Sequence, residues 1–312
     1  MIFYNKEQII ERVSMADAID AMKNAFIQLS KGEAIIPQRT TLNIPDKNAS
    51  ALVMPAYAFG SPYYSVKTVS IHPTNPQKGF PLIHAIVHVF DASKGNLVAT
   101  LDGESITAIR TAAASGLATD LLAKKDAKIC AIFGTGVQAK SHVEAMLAVR
   151  DIEKFMIISR TEKSAKRFIN SQASNITFEV GTIESISEAD IICTTTSSQM
   201  PLFKHGFVKN GCHINVVGSH QPEFREVPSE TVVNSKVVVD SIDACKKEAG
   251  DLLIPVKEGI WDFDQLYGEL GQIASGEILD RELGDEITLF KSVGIAIQDL
   301  VMANLIMEKS LD

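Results

Sequence analysis

The chain has 312 residues, of which 46% are hydrophobic and 22% charged, and its formal net charge is −8. This composition is typical of a globular protein of about two domains, and it excludes extended disorder. The negative charge argues against a nucleic-acid-binding protein, because such proteins use a basic face to displace counterions from phosphates.

The N-terminal sequence, MIFYNKEQIIERV, has no basic segment followed by an apolar stretch, so we expect no signal peptide. No apolar run reaches the roughly 18 residues that a membrane-spanning helix needs. The four cysteines are far apart and form no C-x-x-C pair, so they predict neither a zinc site nor a disulfide framework. We therefore expect a cytoplasmic protein that does not bind membranes.

Helical periodicity begins after Ser14 and continues to Lys31, and Ser14 and Asp17 have the spacing of a capping box. The region 35–103 then contains short β-branched segments separated by Pro, Gly and Asn. Its predicted strands are Val66–Ile71, Leu82–Phe90 and Leu97–Leu101. This first region is therefore predicted to be an antiparallel α+β domain.

From residue 128 onwards, short apolar segments alternate with helical stretches such as 138–149 and 162–171. Near-continuous apolar strands with helical spacers are typical of a parallel sheet covered on both faces. The six predicted strands are Lys128–Phe133, Lys154–Ser159, Thr177–Val180, Asp190–Thr196, His213–Gly218 and Lys236–Asp240. The sequence thus predicts an α/β fold class, with a Rossmann doubly wound parallel sheet beside the α+β domain.

The last segment, Thr288–Glu308, has apolar residues at helical spacing and is predicted to be one helix that packs on the N-terminal region. The chain would then return to its first domain after completing the second. The predicted domains are 1–120 with 288–312 for the α+β domain and 121–287 for the Rossmann domain.

A glycine-rich motif follows the first Rossmann strand and opens a helix. It consists of Gly134, Thr135, Gly136, Val137, Gln138 and Ala139, which match G-x-G-x-x-A. The glycines allow a tight turn and bring the backbone close to a pyrophosphate, whose charge the helix N-terminus stabilises. The motif predicts a dinucleotide site, the alternative being an ordinary glycine-rich turn.

The end of the second Rossmann strand discriminates between the two nicotinamide dinucleotides. An NAD site places an acidic residue there, which binds the ribose 2′-hydroxyl. Here the strand ends in Ser159, Arg160 and Thr161, with Lys163 shortly after and no carboxylate at the strand end. Cations and hydroxyls suit a 2′-phosphate, so the sequence predicts NADPH. The alternative is that Arg160 stacks on the adenine and that NADH also binds.

Three cations of the first region, Arg39, Lys67 and Arg110, are surrounded by apolar or small residues. A long cationic side chain in such surroundings needs an anion, because its desolvation is costly. One interpretation is that each forms a structural ion pair. The other is that the three clamp a small carboxylate, with both arginines binding it bidentately and Lys67 donating a hydrogen bond or a proton.

Among the histidines, His220 follows the fifth Rossmann strand at its carboxyl end, where open α/β sheets bind ligands. It is therefore a candidate active-site residue. His84 and His88 share one face of a predicted strand, but no third ligand has a suitable spacing, so no metal site is predicted.

Several stretches, in order along nearly the whole chain, resemble the ornithine cyclodeaminase/mu-crystallin family. The most specific in combination are the Thr-x-x-Arg-Thr-Ala-Ala motif of residues 107–113 and the Gly-x-Gly-x-Gln-Ala motif of residues 134–139. The others are Pro37–Arg39, Met54–Tyr57, Lys67–Pro76, Val217–Pro222 and Glu248–Leu252. The resemblance implies a homodimer whose N-terminal domains form a shared β-structure, and a substrate carboxylate bound by Arg39, Lys67 and Arg110.

Within this family, cyclodeaminases use tightly bound NAD and an Asp just after the fifth strand. This sequence has His220 at that position and Arg160 at the end of the second strand, which is more similar to the NADP(H)-preferring imine reductases. The resemblance thus implies NADPH-dependent reduction of a small cyclic imino acid such as Δ1-pyrroline-2-carboxylate. Ornithine cyclodeamination, amino-acid dehydrogenation of the alanine type and NADPH binding without catalysis stay open as alternatives.

In the favoured interpretation, Arg39 and Arg110 bind the substrate carboxylate, Lys67 polarises or protonates the imine, and His220 belongs to the active site. The expected cofactor-binding residues are Thr111, Gly134, Thr135, Gly136, Val137, Gln138, Ser159, Arg160, Thr161, Lys163, Thr194, Thr195, Thr196 and Gly218. The expected cofactor is NADPH, with NAD as the second choice.

Overall fold

The computed structural model describes residues 1–172 and 176–310, and the chain divides into two compact units. The first unit comprises Met1–Arg110 and Ile295–Asp312, and the second comprises Thr111–Gly294. These units divide at 110/111 and 294/295, whereas the sequence placed the domain bounds at 120/121 and 287/288. The difference on the C-terminal side has a physical reason, since residues 287–291 form a strand of the parallel sheet rather than the start of a helix.

The first unit is built on an antiparallel sheet. In chain order its elements are β1 (Ile2–Tyr4), α1 (Lys6–Arg12), α2 (Met15–Ser30), β2 (Ala34–Ile35), β3 (Thr40–Ile44), β4 (Ala49–Ala58), β5 (Tyr63–Ile71), β6 (Ile83–Asp91), β7 (Leu97–Asp102) and the beginning of α3 (Gly103–Leu122). The C-terminal helix (Ala296–Glu308) completes the unit. Strands β4 to β7 form an antiparallel meander, β1 pairs in parallel with β7, and β2 and β3 both pair with β4.

Alternation of buried and exposed residues explains how this sheet packs. In β4, Leu52, Met54, Ala56 and Ala58 are buried, while Val53 between them is exposed. The C-terminal helix packs on the buried face of β4, β5 and β6, and also contacts α2. The predicted helix after Ser14 and the three predicted strands are confirmed, including the Ser14–Asp17 capping box.

The second unit is a parallel sheet covered by helices. Its elements are β8 (Ile129–Phe133), α4 (Val137–Val149), β9 (Lys154–Ile158), α5 (Glu162–Asn170), β10 (Thr177–Val180), β11 (Ile191–Thr194), β12 (His213–Val216), α6 (Ser229–Val233), β13 (Ser235–Val239), α7 (Ile242–Glu248), α8 (Gly250–Lys257), β14 (Gly268–Glu269), α9 (Leu270–Ala274) and β15 (Ile287–Lys291). The strand order is β10-β9-β8-β11-β12-β15-β13-β14, with parallel pairing. The predicted α/β class and all six predicted Rossmann strands are confirmed.

The prediction of one helix over Thr288–Glu308 is wrong. Strand β15 occupies Ile287–Lys291, all five residues of which are buried, and the last helix, α10, begins only at Ala296. Its apolar residues Ile287, Leu289 and Phe290 adjoin the apolar segment of α10, and periodicity alone does not distinguish a short, fully buried strand from a buried helix. Gly294, with φ of +78°, lies between the two elements.

The position of β8 in the sheet determines where a ligand can bind. Strand β8 lies between β9 and β11, so the chain leaves β8 toward one side and reaches β11 on the other. In open α/β sheets, such a reversal of strand order creates a crevice at the carboxyl ends of the strands. Among the described residues, no helix is long and apolar enough to cross a membrane.

Candidate active site

In the first unit, Lys67 lies on β5 and points into the buried side of the sheet, with 1% of its surface exposed. Its Nζ donates hydrogen bonds to Asp299 Oδ1 at 3.0 Å and to Thr107 Oγ1 at 2.6 Å. Asp299 lies on α10 and Thr107 on α3, so three elements distant in sequence meet at this amine. An ammonium has three N–H donors, which leaves one for a further acceptor.

The other two predicted cations are close to this lysine. Arg110 on α3 donates from Nη1 to Gln298 Oε1 at 2.7 Å, and its Nε is 3.6 Å from Asp299 Oδ1. Arg39, which is half-buried, is near enough for its charge to lower the pKa of Lys67. The structure therefore brings together all three cations that the sequence singled out. We call Arg39, Lys67, Arg110 and Asp299 the cationic cluster.

The ionisation of Lys67 is altered by its surroundings. Burial away from water lowers the pKa of Lys67 to about 8, because the charged form loses hydration. Asp299 opposes this change, whereas the repulsion from Arg110 and Arg39 adds to it. A lysine with such a pKa still carries a proton at neutral pH and releases it more readily than an ordinary lysine, which suits a general acid.

Asp299 was missed by sequence reasoning, although a signal was present. Gln298 and Asp299 are two polar residues inside an otherwise apolar helix, and both are fully buried. Asp299 pairs with Lys67 and Arg110, so the interpretation as structural ion pairs holds for these two cations, and the clamp for a small carboxylate stays a prediction. The cluster thus places three cations around the carboxylate of Asp299.

In the second unit, the two glycines of the motif have different structural roles. Gly134 has φ of +117°, and a Cβ added there would be 2.7 Å from Thr195 Oγ1, so the fold itself requires glycine. Gly136, with φ of −89°, precedes α4 and has open space around the position of a Cβ. The N-cap Gly136 has no side chain to cap α4, and the N-terminus of a helix stabilises an anion. These features fit a dinucleotide pyrophosphate.

The residues after β9 form a turn with two exposed cations. Ser159 Oγ donates to the carbonyl of Thr161, and Thr161 Oγ1 accepts from the N–H of Ser164 at the start of α5. Arg160 and Lys163 are exposed and form no ion pair with any described residue. The hydroxyls thus stabilise the turn, while the two cations are available to a 2′-phosphate.

The three threonines at the end of β11 and directly after it, Thr194 to Thr196, are held by internal hydrogen bonds. Thr194, which is fully buried, and Thr196 both donate their hydroxyl protons to Glu226, and the N–H of Gly218 donates to the same carboxylate. Thr195 Oγ1 donates to the carbonyl of Phe133 at 2.7 Å. Sequence reasoning missed Glu226, which no local motif marks.

Two further predicted site residues, His220 and Thr111, lie in the second unit. His220 is half-buried in the loop that follows β12, and Thr111 is buried on α3. His84 pairs with Glu104 at 3.0 Å. Within residues 1–172 and 176–310, no group of three or more His, Cys, Asp or Glu side chains is placed to hold a metal ion.

Comparison with known proteins decides the family. The family model of the ornithine cyclodeaminase/mu-crystallin family matches residues 1–312. The chain belongs to this family. The prediction made from the Thr107–Ala113 and glycine-rich motifs is thus confirmed.

Similar members of the family are reductases and dehydrogenases. The chain is 42% identical over 305 residues to a Δ1-pyrroline-2-carboxylate reductase of Bacillus cereus, which covers 96% of this chain and 94% of that protein. The solved Δ1-pyrroline-2-carboxylate reductase of Thermococcus litoralis, in complex with NADH and L-proline, has a TM-score of 0.96 and 39% identity, covering 100% of this chain and 98% of that one. An archaeal alanine dehydrogenase dimer with bound NAD has a TM-score of 0.94 and 31% identity, covering 100% and 96%.

These relatives confirm that the chain is an enzyme of the oxidoreductase type, as the sequence predicted. The solved relatives hold NADH or NAD, in agreement with the predicted nicotinamide dinucleotide.

Proposed function

We propose that this family member is an NADPH-dependent reductase of a small cyclic imino acid of the Δ1-pyrroline-2-carboxylate type. The observation that carries the proposal is the cationic cluster, which combines two arginines with a buried lysine whose pKa is lowered to about 8. A cyclic imino acid has a carboxylate next to a basic imine nitrogen. Its binding site therefore needs cations for the carboxylate and a proton donor for the nitrogen. The similarity to two Δ1-pyrroline-2-carboxylate reductases supports this substrate class.

In this proposal the arginines and the lysine have separate tasks. Arg39 and Arg110 bind the carboxylate, and Arg110 is kept in orientation by its hydrogen bond to Gln298. Reduction of C=N adds a hydride to carbon and a proton to nitrogen, and Lys67 donates that proton from Nζ. Asp299 and Thr107 orient the amine through their hydrogen bonds, so that its third N–H can face the imine nitrogen.

The second unit would hold the dinucleotide, which when bound supplies the hydride. The pyrophosphate is bound by the N–H groups at the start of α4, next to Gly134, Thr135, Gly136, Val137 and Gln138. Arg160 and Lys163 bind the 2′-phosphate, which is the reason for preferring NADPH. Since a solved relative contains NADH, the alternative is that this chain uses NADH as well. Thr111, Thr195 and His220 are proposed to lie near the nicotinamide end.

We further propose a homodimer formed through the first unit. Val53 and Ile86 are exposed on the face of the sheet opposite to α10, and each lies in register with the exposed Thr68. Leu42 extends this apolar surface on β3. One related alanine dehydrogenase is a dimer, which supports the proposal. A sedimentation experiment tests it, with Val53→Asp expected to shift the mass from dimer toward monomer. A cytoplasmic location stays a prediction.

The decisive experiment is a panel of substrates with each cofactor. We expect oxidation of NADPH with pyrroline-2-carboxylate to exceed that with pyruvate plus ammonia, and we expect no ammonia release from ornithine in the absence of reductant. Faster turnover of pyruvate and ammonia would make the chain an alanine-type dehydrogenase. Ammonia release from ornithine would make it a cyclodeaminase. Binding of NADPH without turnover of any imino or keto acid would contradict the catalytic proposal.

A further inference from the structure

Glu226, in the loop between β12 and α6, is a fully buried carboxylate to which the proposed mechanism gives no role. It accepts four hydrogen bonds. Oε2 accepts from Thr194 Oγ1 at 2.8 Å and from the N–H of Gly218 at 2.7 Å. Oε1 accepts from the N–H and from the Oγ1 of Thr196, both at 2.7 Å. Both oxygens are thus used by donors from two different loops.

All four donors come from the edge of the sheet where the strands end. Thr194 and Thr196 follow the path of β11 into its loop, and Gly218 follows β12. Between the two threonines, Thr195 donates from its N–H and its Oγ1 to the carbonyl of Phe133, the residue before Gly134. One carboxylate therefore connects the loops after β11 and β12, and through Thr195 it reaches the glycine-rich loop after β8.

A second carboxylate stabilises the position of Glu226. Asp251 Oδ1 accepts from the N–H of Glu226 at 2.6 Å and of Val227 at 3.1 Å, and its Oδ2 pairs with the buried Lys291 at 2.7 Å. Lys291 also donates to the carbonyl of Ser219 at 2.6 Å. The segment 218–227, which carries His220, is therefore held at both ends by buried charged groups.

Burial of these carboxylates costs desolvation free energy, so stability alone does not explain the arrangement. Burial and the nearby charge of Asp251 raise the pKa of Glu226, which shows that its surroundings disfavour the charged form. Apolar residues of similar volume often stabilise a core as well as buried charges do. What a carboxylate adds is geometry, because its two oxygens bind donors in defined directions and set the distances between the loops.

We propose that Glu226 is a positioning residue for the dinucleotide, which holds the loops after β8, β11 and β12 in the arrangement that the bound cofactor requires. The inference rests on the proposed dinucleotide binding of the second unit. Because these loops are connected before the ligand arrives, binding does not have to order them, and affinity is gained without a contact between Glu226 and the cofactor.

The test compares Glu226→Gln with a matched carboxylate at the opposite edge of the same sheet. Asp190, just before β11, accepts from the N–H groups of Lys128 and Ile129 at 2.8 and 2.9 Å and pairs with Lys209 at 2.6 Å. It also connects neighbouring strands, but at their amino ends. Asp190→Asn therefore reproduces the loss of a bridging carboxylate without affecting the cofactor edge.

The readout is the Kd of NADPH and of NADH, measured by fluorescence titration without any imino acid, together with Tm. Glutamine has only one carbonyl oxygen, so its NH2 group would face N–H and O–H groups whose hydrogen bonds a carboxylate oxygen of Glu226 accepts in the wild type. We expect Glu226→Gln to raise the Kd at least tenfold, and Asp190→Asn to lower Tm while changing the Kd less than twofold. An unchanged Kd in Glu226→Gln, or an equal rise in Asp190→Asn, would overturn the proposal.

A milder variant covers the case in which Glu226→Gln does not fold. Thr196→Val removes one donor and keeps its backbone N–H, and we expect a Kd about threefold higher in a folded protein. If Thr196→Val binds dinucleotide like wild type, the inference fails. If wild type itself binds neither NADPH nor NADH, the proposed function fails as well, so the two failures are distinguishable.

Discussion

Lys67 and Asp299 are 232 residues apart in the chain, yet Lys67 Nζ lies 3.0 Å from Asp299 Oδ1 with both side chains buried. The contact joins β5 to α10, the only described element of the first unit that comes from the end of the chain. A buried pair of this kind loses much of its Coulomb gain to desolvation, so its contribution to stability is small. Its consequence is chemical, since Asp299 keeps a proton on a buried lysine.

Replacement of Asp299 by Asn should separate this chemical role from folding. The pKa of Lys67 would fall further, because the carboxylate that raises it is lost while Arg110 and Arg39 remain. We expect kcat for imine reduction at pH 7.5 to fall about threefold for the first unit by which the pKa drops below about 8, and about tenfold for each further unit, as the protonated fraction of Lys67 decreases. The measurement is a kcat–pH profile, whose alkaline limb should move to lower pH.

The matched control for this variant is Asp17→Asn. Asp17 pairs with Lys309, just after α10, at a partly exposed site, and its carboxylate also accepts hydrogen bonds from Ser14. Exposed ion pairs contribute about 0–1 kcal/mol to the free energy of unfolding. The fold of Asp17→Asn, and therefore its activity, should be unchanged. An Asp299→Asn enzyme with the wild-type pH profile would show that Asp299 does not act through Lys67.

The lowered pKa of Lys67 predicts how the reaction depends on pH. The protonated amine is the proposed proton donor, so kcat/KM for imine reduction should fall as the pH rises through about 8. In the direction of amino-acid oxidation the neutral amine is required, and the rate should rise over the same range. Arginine keeps its charge over this pH range, so the kcat/KM of Lys67→Arg should not show this fall. A flat wild-type profile between about pH 7 and pH 9.5 would contradict the assignment of Lys67 as the acid.

The same pKa has a consequence for stability. In the unfolded chain Lys67 titrates near its ordinary value of 10.5, above its folded value of about 8. Between these values the unfolded state binds the proton and the folded state does not, so the free energy of unfolding gains from Lys67 as the pH rises. We expect urea unfolding to show this rise from about pH 8 to pH 10.5, and to show less of it in Lys67→Met.

Arg160→Glu tests the choice of cofactor. A carboxylate after β9 would repel a 2′-phosphate and accept hydrogen bonds from a ribose 2′-hydroxyl. We expect the Kd of NADPH to rise at least tenfold, corresponding to the loss of about 1.5–3 kcal/mol for a hydrogen bond to a charged group. The Kd of NADH should stay the same or fall.

Lys166→Ala provides the comparison on α5, the helix that follows Arg160, because Lys166 is already paired with Glu162 at 2.6 Å. It should bind both dinucleotides like the wild type. Parallel weakening of NADPH and NADH by Arg160→Glu would indicate that Arg160 stacks on the adenine instead of reading the 2′-phosphate.

The two glycines of the motif should respond differently to alanine. Gly134→Ala places a Cβ against Thr195 on a backbone with φ of +117°, so we expect a loss of about 1–3 kcal/mol in the free energy of unfolding. Gly136→Ala meets no protein atom within 4 Å and should leave Tm nearly unchanged. It should nevertheless weaken dinucleotide binding several-fold, because the open space serves the ligand. Equal Tm values for both variants would refute this division.

The sequence by itself determined most of the second unit. Apolar strands at regular intervals and the motif at Gly134 are local patterns, and they predicted the Rossmann sheet, which is confirmed, and a dinucleotide site, without long-range information. It also singled out Arg39, Lys67 and Arg110, because a cation in an apolar segment is costly to desolvate whatever the segment packs against, and it therefore needs an anionic partner. The missed strands have local reasons too, since β15 is a short, fully buried segment that runs on toward the apolar sequence of α10, and β14 has only two residues.

Only the tertiary structure decided what these residues contact. Asp299 belongs to an apolar helix and Glu226 to a loop without a motif, and neither carboxylate has its partners nearby in sequence. Charged groups interact through space at distances of a few ångströms, and sequence spacing carries that information only within a helix, a strand or a turn. The pairing of Lys67 with Asp299, and of Glu226 with Thr194 and Gly218, therefore follows from packing of distant elements rather than from any pattern in the chain.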